Sequence, residues 1–312
     1  MDSFLNSFGI IIYATLVYTP PLLFAALGSC FSENSGVVNI GIEGMMTIGA
    51  FVGAAVAHYT QNPWIAFLCA GLAGAAFGLL HAFATVSLHA DQTITGTAIN
   101  FLAPGIALLV AKALFNTSDT PSLRANAKLP ILFADVFKGG TPFQNFLKNI
   151  FANYASAYLV FIAVAVVWFI FYKTKFGIHL RAVGEHPRAC ETLGINVFRT
   201  RYIAVILSGF FAGLGGACVT LATANQFRSI SIVGQGFIAI AAVIFGKFKP
   251  QGAMFACILF GLCSGLKVVL GTGFNAQLVS MIPYVITVLS LILFVGKSHV
   301  PAANGKPYIK SK

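Results

Sequence analysis

The sequence predicts an all-α polytopic membrane protein of about nine transmembrane helices (eight to ten), with broken helices and an inverted internal repeat. Three observations predict it. Hydrophobic residues fill 58% of the 312 positions and charged residues only 9%, far from a soluble average. Apolar windows long enough to cross about 30 Å of hydrocarbon recur along the whole length, so residues 1–312 read as a single transmembrane domain. A shift of 187 positions lays Pro63–Leu79 over Pro250–Leu266 with six of seventeen pairs identical: Pro63/Pro250, Ala66/Ala253, Leu72/Leu259, Gly74/Gly261, Gly78/Gly265 and Leu79/Leu266. Chance gives about two in a composition this rich in Ala, Gly and Leu.

The first window, near 9–30, follows Met1-Asp2-Ser3 without a basic segment, so it reads as a retained span and not a cleavable signal. Its Pro20-Pro21 pair removes two backbone donors in mid-membrane, and a kink or break there has to be satisfied by neighbouring helices or water. The second window, near 37–57, is interrupted by Gly36, Gly41, Gly44 and Gly49 and carries Asn39 and Glu43. A carboxylate inside a span faces the protein interior, either gating a pathway or fixing helix ends. Windows near 64–88 and 93–115 follow. The latter opens on Gln92, Thr93, Thr95, Thr97 and Asn100, uncharged groups that either suit a neutral polar substrate or tie helices together at about 1 kcal/mol each. His58, His81, Lys112 and Lys267 fall near span ends, where snorkelling accounts for them.

Residues 116–150 form the long extracytoplasmic loop; its Asn116-Thr117-Ser118 sequon is a short match of little weight. Further windows lie near 153–172, 202–222, 235–248, 252–270 and 278–296. The window at 235–248 is short, a candidate re-entrant piece, and Gly234 and Gly236 interrupt its start as the earlier glycines interrupt residues 36–49. Broken helices in matching halves point to a transport pathway, and copies five spans apart cross in opposite directions, as alternating-access transporters do. Gly74/Gly78 and Gly261/Gly265 are G-x-x-x-G pairs that let another helix approach closely.

Six Lys/Arg crowd residues 173–201, the longest polar segment, so this loop is placed in the cytoplasm. Lys247, Lys249, Lys297, Lys306, Lys310 and Lys312 then fall on the same side, and the +11 net charge is membrane asymmetry, not a nucleic-acid surface. Within the loop, Pro187 after Gly184-Glu185-His186 opens a short helical stretch at Arg188–Leu193. Chemistry finds no purchase. The six cysteines are scattered, with no metal-ligand spacing. No H-E-x-x-H or G-x-S-x-G is present. Gly296-Lys297-Ser298 lacks the earlier glycine of a phosphate loop, position 291 being Leu. The chain therefore reads as a transporter component and not an enzyme.

SGVVNIGIEGMM, QTITGTAIN and RAVGEHPRACETLGINV, in that order, resemble the permease subunits of bacterial ABC importers of the branched-chain amino acid, ribose and nucleoside superfamily. The resemblance spans roughly residues 10–297. It is closest to the shorter permease of nucleoside-type systems that work with a basic-membrane-protein lipoprotein. The family's cytoplasmic motif, near G-E-N-P-x-A-A-x-x-x-G-I-x-V, is matched by Gly184, Glu185, Pro187, Ala189, Gly194, Ile195 and Val197, with His186 for its Asn and Cys190 for its second Ala.

The resemblance implies a multi-pass protein of the bacterial inner membrane, embedded in lipid. It pairs with a second permease, contacts one fused or two separate ATPase domains that carry ATP and Mg²⁺, and takes a small polar solute from an extracytoplasmic binding lipoprotein. Nucleosides are the implied solute; riboflavin, simple sugars and branched-chain amino acids share the scaffold, and a stand-alone carrier or channel is the rival. No cofactor is expected on this chain. Coupling falls to the loop, with Glu185, Arg188 and Glu191 offered for polar contacts and Leu193 and Ile195 as apolar anchors. Asn39, Glu43, Gln92, Thr93, Thr95 and Asn100 are the candidate pathway residues.

Overall fold

Apolar stretches become helices because hydrocarbon leaves backbone amides no partner but their own chain. The structure, a computed structural model, describes residues 2–134, 136, 142–270, 281, 285, 288 and 300–310. In chain order the helices are α1 (Asp2–Asn34), α2 (Ile42–Thr60), α3 (Pro63–Ala82), α4 (Gln92–Phe115), α5 (Pro142–Phe151), α6 (Ala155–Lys173), α7 (Lys175–Glu185), α8 (Pro187–Thr192), α9 (Val197–Cys218), α10 (Gln235–Phe245) and α11 (Pro250–Leu270). Among the described residues, one two-residue antiparallel pair, β1 (Ile131–Leu132) with β2 (Asn153–Tyr154), joins the two sides of the segment between α4 and α6.

Among the described residues, five segments are long and apolar enough to span a membrane: Ser7–Asn34, Pro63–Ser87, Gln92–Phe115, Ala155–Lys173 and Val197–Thr223. The 19-residue α2, the 11-residue α10 and α11 fill three more of the expected windows. The window at 278–296 lies outside the described residues. Two expected loops hold more structure than composition announced. Residues 116–150 include most of α5, and residues 173–201 fold into α7, α8 and the start of α9.

Pro20 and Pro21 do not break α1, which is continuous through both. Instead α9 comes up against them: a β-carbon on Gly215 would lie 2.6 Å from the Pro21 carbonyl oxygen. Farther along the same crossing, a β-carbon on Gly28 would lie 2.5 Å from the Ser208 carbonyl. Numbers rise on one helix as they fall on the other, so α1 and α9 are antiparallel.

Glycine makes the tight seams of the bundle, since helices in lipid hold together by close packing and not by water exclusion. Helix α3 lies antiparallel along α9, Gly74 facing Gly209 and Gly213, and Gly78 facing Val205 and Gly209. Helix α11 lies antiparallel along α1 in the same manner, Gly261 facing Thr19 and Thr15, and Gly265 facing Thr15 and Ile11. Around these seams Phe24, Phe31, Phe171 and Phe211 form a ring cluster, with Phe31 edge-on to Phe171 at 5.0 Å. The outer faces of α3 and α4 remain exposed and apolar, with Leu68, Leu72, Phe101 and Leu109 outward.

Gly78→Val is expected to wedge α3 from α9, because its β-carbon would lie 2.7 Å from the Val205 carbonyl. The cost is about 1–3 kcal/mol. Gly105→Ala meets nothing within 4 Å and should change stability by less than about 1 kcal/mol. Thermal unfolding of the two variants in one detergent checks the contrast.

Candidate functional site

The polar loop after α6 folds into an elbow whose turns follow from its sequence. Thr174 caps α7, its hydroxyl accepting from the Gly177 amide at 3.2 Å. At the other end of α7 the place of a Gly184 side chain is taken by the Asn34 carbonyl, so α7 stops directly against the end of α1. His186 leaves helical geometry and Pro187 begins α8 at its first position, where the missing amide costs nothing. Gly194 ends α8 at φ +80, the left-handed conformation glycine adopts without strain. Two backbone bonds close that turn, Gly194 N–H to Glu191 O and Ile195 N–H to Cys190 O, both 2.9 Å. Asn196 then caps α9 by accepting from the Arg199 amide at 2.9 Å.

The C-terminal segment 300–310 returns to this elbow. Ala303 N–H donates to the Gly184 carbonyl at 2.9 Å. Ala302 N–H donates to Glu185 Oε2 at 3.3 Å, Asn304 Nδ2 donates to Glu33 Oε2 at 2.6 Å, and the Tyr308 hydroxyl donates to Glu191 Oε2. Burial, with the Glu191 carboxylate beside it, pushes the Tyr308 phenol up to about 12, so it keeps the proton that it donates. The Tyr308 ring packs with Val183, Cys190 and Val197 and stacks edge-on against Phe198 at 5.5 Å. Arg201, 1% exposed, lies with its guanidinium 5.9 Å from the Tyr308 ring and donates to the Lys306 carbonyl at 3.2 Å.

This arrangement sorts the expected coupling residues. Gly184, Pro187 and Gly194 shape the elbow. His186, Arg188 and Ala189 are exposed, and Leu193 is 79% exposed. Ile195 packs inward beside Tyr308, which leaves Leu193 as the one free apolar anchor of the two. Glu185 and Glu191 are engaged by the chain's own C-terminal segment.

Four of the six pathway candidates meet around the unwound segment between α1 and α2. Gln92 Oε1 accepts from the Val38 amide at 2.7 Å. Asn100 Oδ1 accepts from the Gly44 amide at 2.8 Å while its Nδ2 donates to the Ile40 carbonyl at 3.0 Å. Asn39 Nδ2 donates to Ser208 Oγ at 2.9 Å. Glu43 Oε1 accepts from the Gly234 amide at 3.0 Å, at the start of α10. Gln92, Asn100 and Glu43 supply backbone partners that broken helices lack, and Asn39 ties the unwound segment to α9. Thr93 stays exposed and Thr95 bonds back to the Asp91 carbonyl, so neither joins the cluster.

His81 corrects an expectation. It does not snorkel; it is fully buried, its Nε2 at 3.1 Å from the Val38 carbonyl, one more partner for the unwound segment. Arg201, Asn304 and Tyr308 were missed altogether. An Arg opening an apolar span and a Tyr in a basic tail are the only signals they leave.

Comparison with known proteins gives this geometry its class. The family described as branched-chain amino acid transport system permease component matches residues 11–295, and the chain belongs to that family. It is a multi-pass membrane transport component and not an enzyme. The chain is 43% identical to the guanosine ABC transporter permease protein NupQ of Bacillus subtilis, covering 97% of both chains. It is 39% identical to the nucleoside ABC transporter permease protein NupC of Lactococcus lactis, covering 98% of this chain and 99% of that one. Among solved structures, an ABC transporter of metal-chelate type in an inward-facing conformation shares its fold, with a TM-score of 0.52 at 12% identity over 91% of this chain and 85% of that one.

Cys190 reports on how the C-terminal segment seats. Its thiol is 3% exposed beneath Tyr308, and burial raises its pKa. It should react slowly with maleimide. Tyr308→Ala should raise that rate on the order of tenfold by uncovering a thiol that reacts as thiolate. Mass spectrometry of labelled protein reads the change.

Proposed function

We propose that this chain is the permease subunit of an ATP-driven importer of nucleosides in a bacterial inner membrane. One observation carries the reading: an elbow with exposed Leu193 is set, through Gly184, directly on the end of a bundle helix. A soluble motor pressing on such an elbow moves α1 with little slack. Near full-length similarity to permeases of guanosine and nucleoside transporters supports the substrate class. ATP and Mg²⁺ belong to the partner ATPase, a second permease completes the pathway, and an extracytoplasmic binding lipoprotein delivers the solute.

The mechanism is alternating access between two inverted halves in a bundle of about nine crossings. Its support is reciprocal packing. Helices α1, α2 and α3 stand in one half where α9, α10 and α11 stand in the other. The third helix of each half runs antiparallel along the first helix of the other, by glycines at equivalent positions, Gly74/Gly78 and Gly261/Gly265. Corresponding helices α1 and α9 cross antiparallel at Pro21 and Gly215. Each half also begins its second helix after a glycine, Gly41 or Gly234, and Glu43 of one half holds the amide at the start of the other half's short helix. Asn39, Glu43, Gln92 and Asn100 thus fix the broken segments that flank the route.

Gly194→Val should abolish nucleoside uptake while the chain still inserts, because a branched side chain strains the left-handed turn by about 1–2 kcal/mol and misdirects Leu193. Gly194→Asn should retain much of the uptake, since Asn tolerates that conformation. Glu185→Ala should also abolish uptake by freeing the elbow from Ala302. Radiolabelled guanosine uptake, with membrane fractions blotted for the chain, checks all three. Undiminished uptake in Gly194→Val and Glu185→Ala would sink the coupling assignment.

A further inference from the structure

Residues 117–129, between α4 and β1, lie across the end of the bundle away from the elbow. Helix α9 leaves the elbow at Val197, continues past Cys218 as a short π-helix (Val219–Thr223), and passes through the irregular connector 224–234 into α10. Three backbone bonds lace the two segments together: Thr120 N–H to Phe227 O at 3.0 Å, Leu123 N–H to Asn225 O at 2.8 Å, and Leu129 N–H to Leu221 O at 3.0 Å. Thr120 adds a return bond, its hydroxyl accepting from the Phe227 amide at 2.9 Å. Leu123, Ala127 and Leu129 are buried in one cluster with Ala57 of α2, Ala70 of α3 and Ala217 of α9. The seat is small. Residues 117–129 hold no regular structure beyond the single turn Ala125–Ala127. Four hydrogen bonds and three buried apolar side chains keep them down, the profile of a segment that opens locally.

The connector beneath ties this segment to the pathway candidates. Phe227, 1% exposed, packs edge-on against Phe51 of α2 at 5.4 Å. At the connector's other end the Gly234 amide is held by Glu43, at the start of the same α2. Both flanks of 117–129 are suited to pivot. Asn116 ends α4 at φ +57, a conformation that Asn tolerates. On the far side the Pro130 carbonyl accepts from the Ala155 amide at 2.9 Å beside the β1–β2 pair, which makes a fixed base. We propose that residues 117–129 are a lid on the solute route. Latched through Thr120 on Phe227, the lid closes this end of the bundle; parting from the connector opens it. The proposal rests on the transport reading above and gives it a gate.

Cross-linking tests whether the latch has to part. Ser122→Cys with Gln226→Cys places thiols on an exposed and a half-buried position, between the Thr120–Phe227 and Leu123–Asn225 bonds. Ile131→Cys with Tyr154→Cys, across β1 and β2, is the control at the base of the lid. Cells expressing the chain with its transport partners are assayed for radiolabelled guanosine uptake before treatment, after a short bis-methanethiosulfonate cross-linker, and after reduction. Mass spectrometry scores the cross-link. Uptake by the Ser122/Gln226 pair should fall at least about tenfold and return on reduction, while the control keeps its uptake when cross-linked. Full cross-linking with unchanged uptake, or an equal loss in the control, overturns the proposal. Where guanosine uptake is absent before any treatment, maleimide labelling of Leu123→Cys in energised and energy-depleted cells decides separately. Rates that differ by about threefold or more keep the lid and fail the substrate reading, and equal rates overturn the lid.

Discussion

Asn34 closes α1 and is gripped from two directions, and this end of the bundle depends on that grip. Its carbonyl occupies the space that any side chain at Gly184 would need. Its side-chain Nδ2 donates to the Phe248 carbonyl at 2.9 Å, in the turn between α10 and α11. One residue therefore joins the elbow, α1 and the α10–α11 turn. A contact between two backbones has no rotamer to absorb motion. Displacement of α7 passes to α1 through that backbone contact and reaches the α10–α11 turn through the Asn34 side chain, the path that the proposed coupling to a soluble motor uses.

The broken segments repeat the logic inside the membrane. Unwinding between α1 and α2 strands the backbone groups of Val38, Ile40 and Gly44, and Gln92, Asn100 and His81 answer them from α3 and α4. Each such bond contributes on the order of 1 kcal/mol. Together they hold an irregular segment that lipid would otherwise not tolerate. Because the anchors come from other helices, relative movement of those helices changes the segment.

Much of this was legible in the sequence. Hydropathy located the spans because burial in lipid leaves little choice of residue, and it marked α10 as short. The elbow was readable through local chemistry: Pro187 at a first helical position and Gly194 at a left-handed turn are decided within a few residues. The spaced glycines of α3 and α11 marked where those helices pack closely against α9 and α1. Long-range partnerships were not readable. Tyr308 meets Glu191 from 117 positions away, and Arg201 meets Lys306 from 105. Glu43, Gln92 and Asn100 posed a different problem, since a polar residue in a span serves substrate or backbone equally well until its neighbour is known. His81 misled for the same reason.

The central claim is that a partner ATPase seats on the elbow at α8. Leu193→Cys places a thiol on its most exposed apolar position, against native cysteines that are buried except for the half-buried Cys69 within α3. Maleimide labelling at that position, measured with and without added ATPase, tests the claim most directly. The account predicts rapid labelling of the free chain and strong protection once the ATPase is bound. Equal labelling in both states, with the ATPase demonstrably bound, would contradict it.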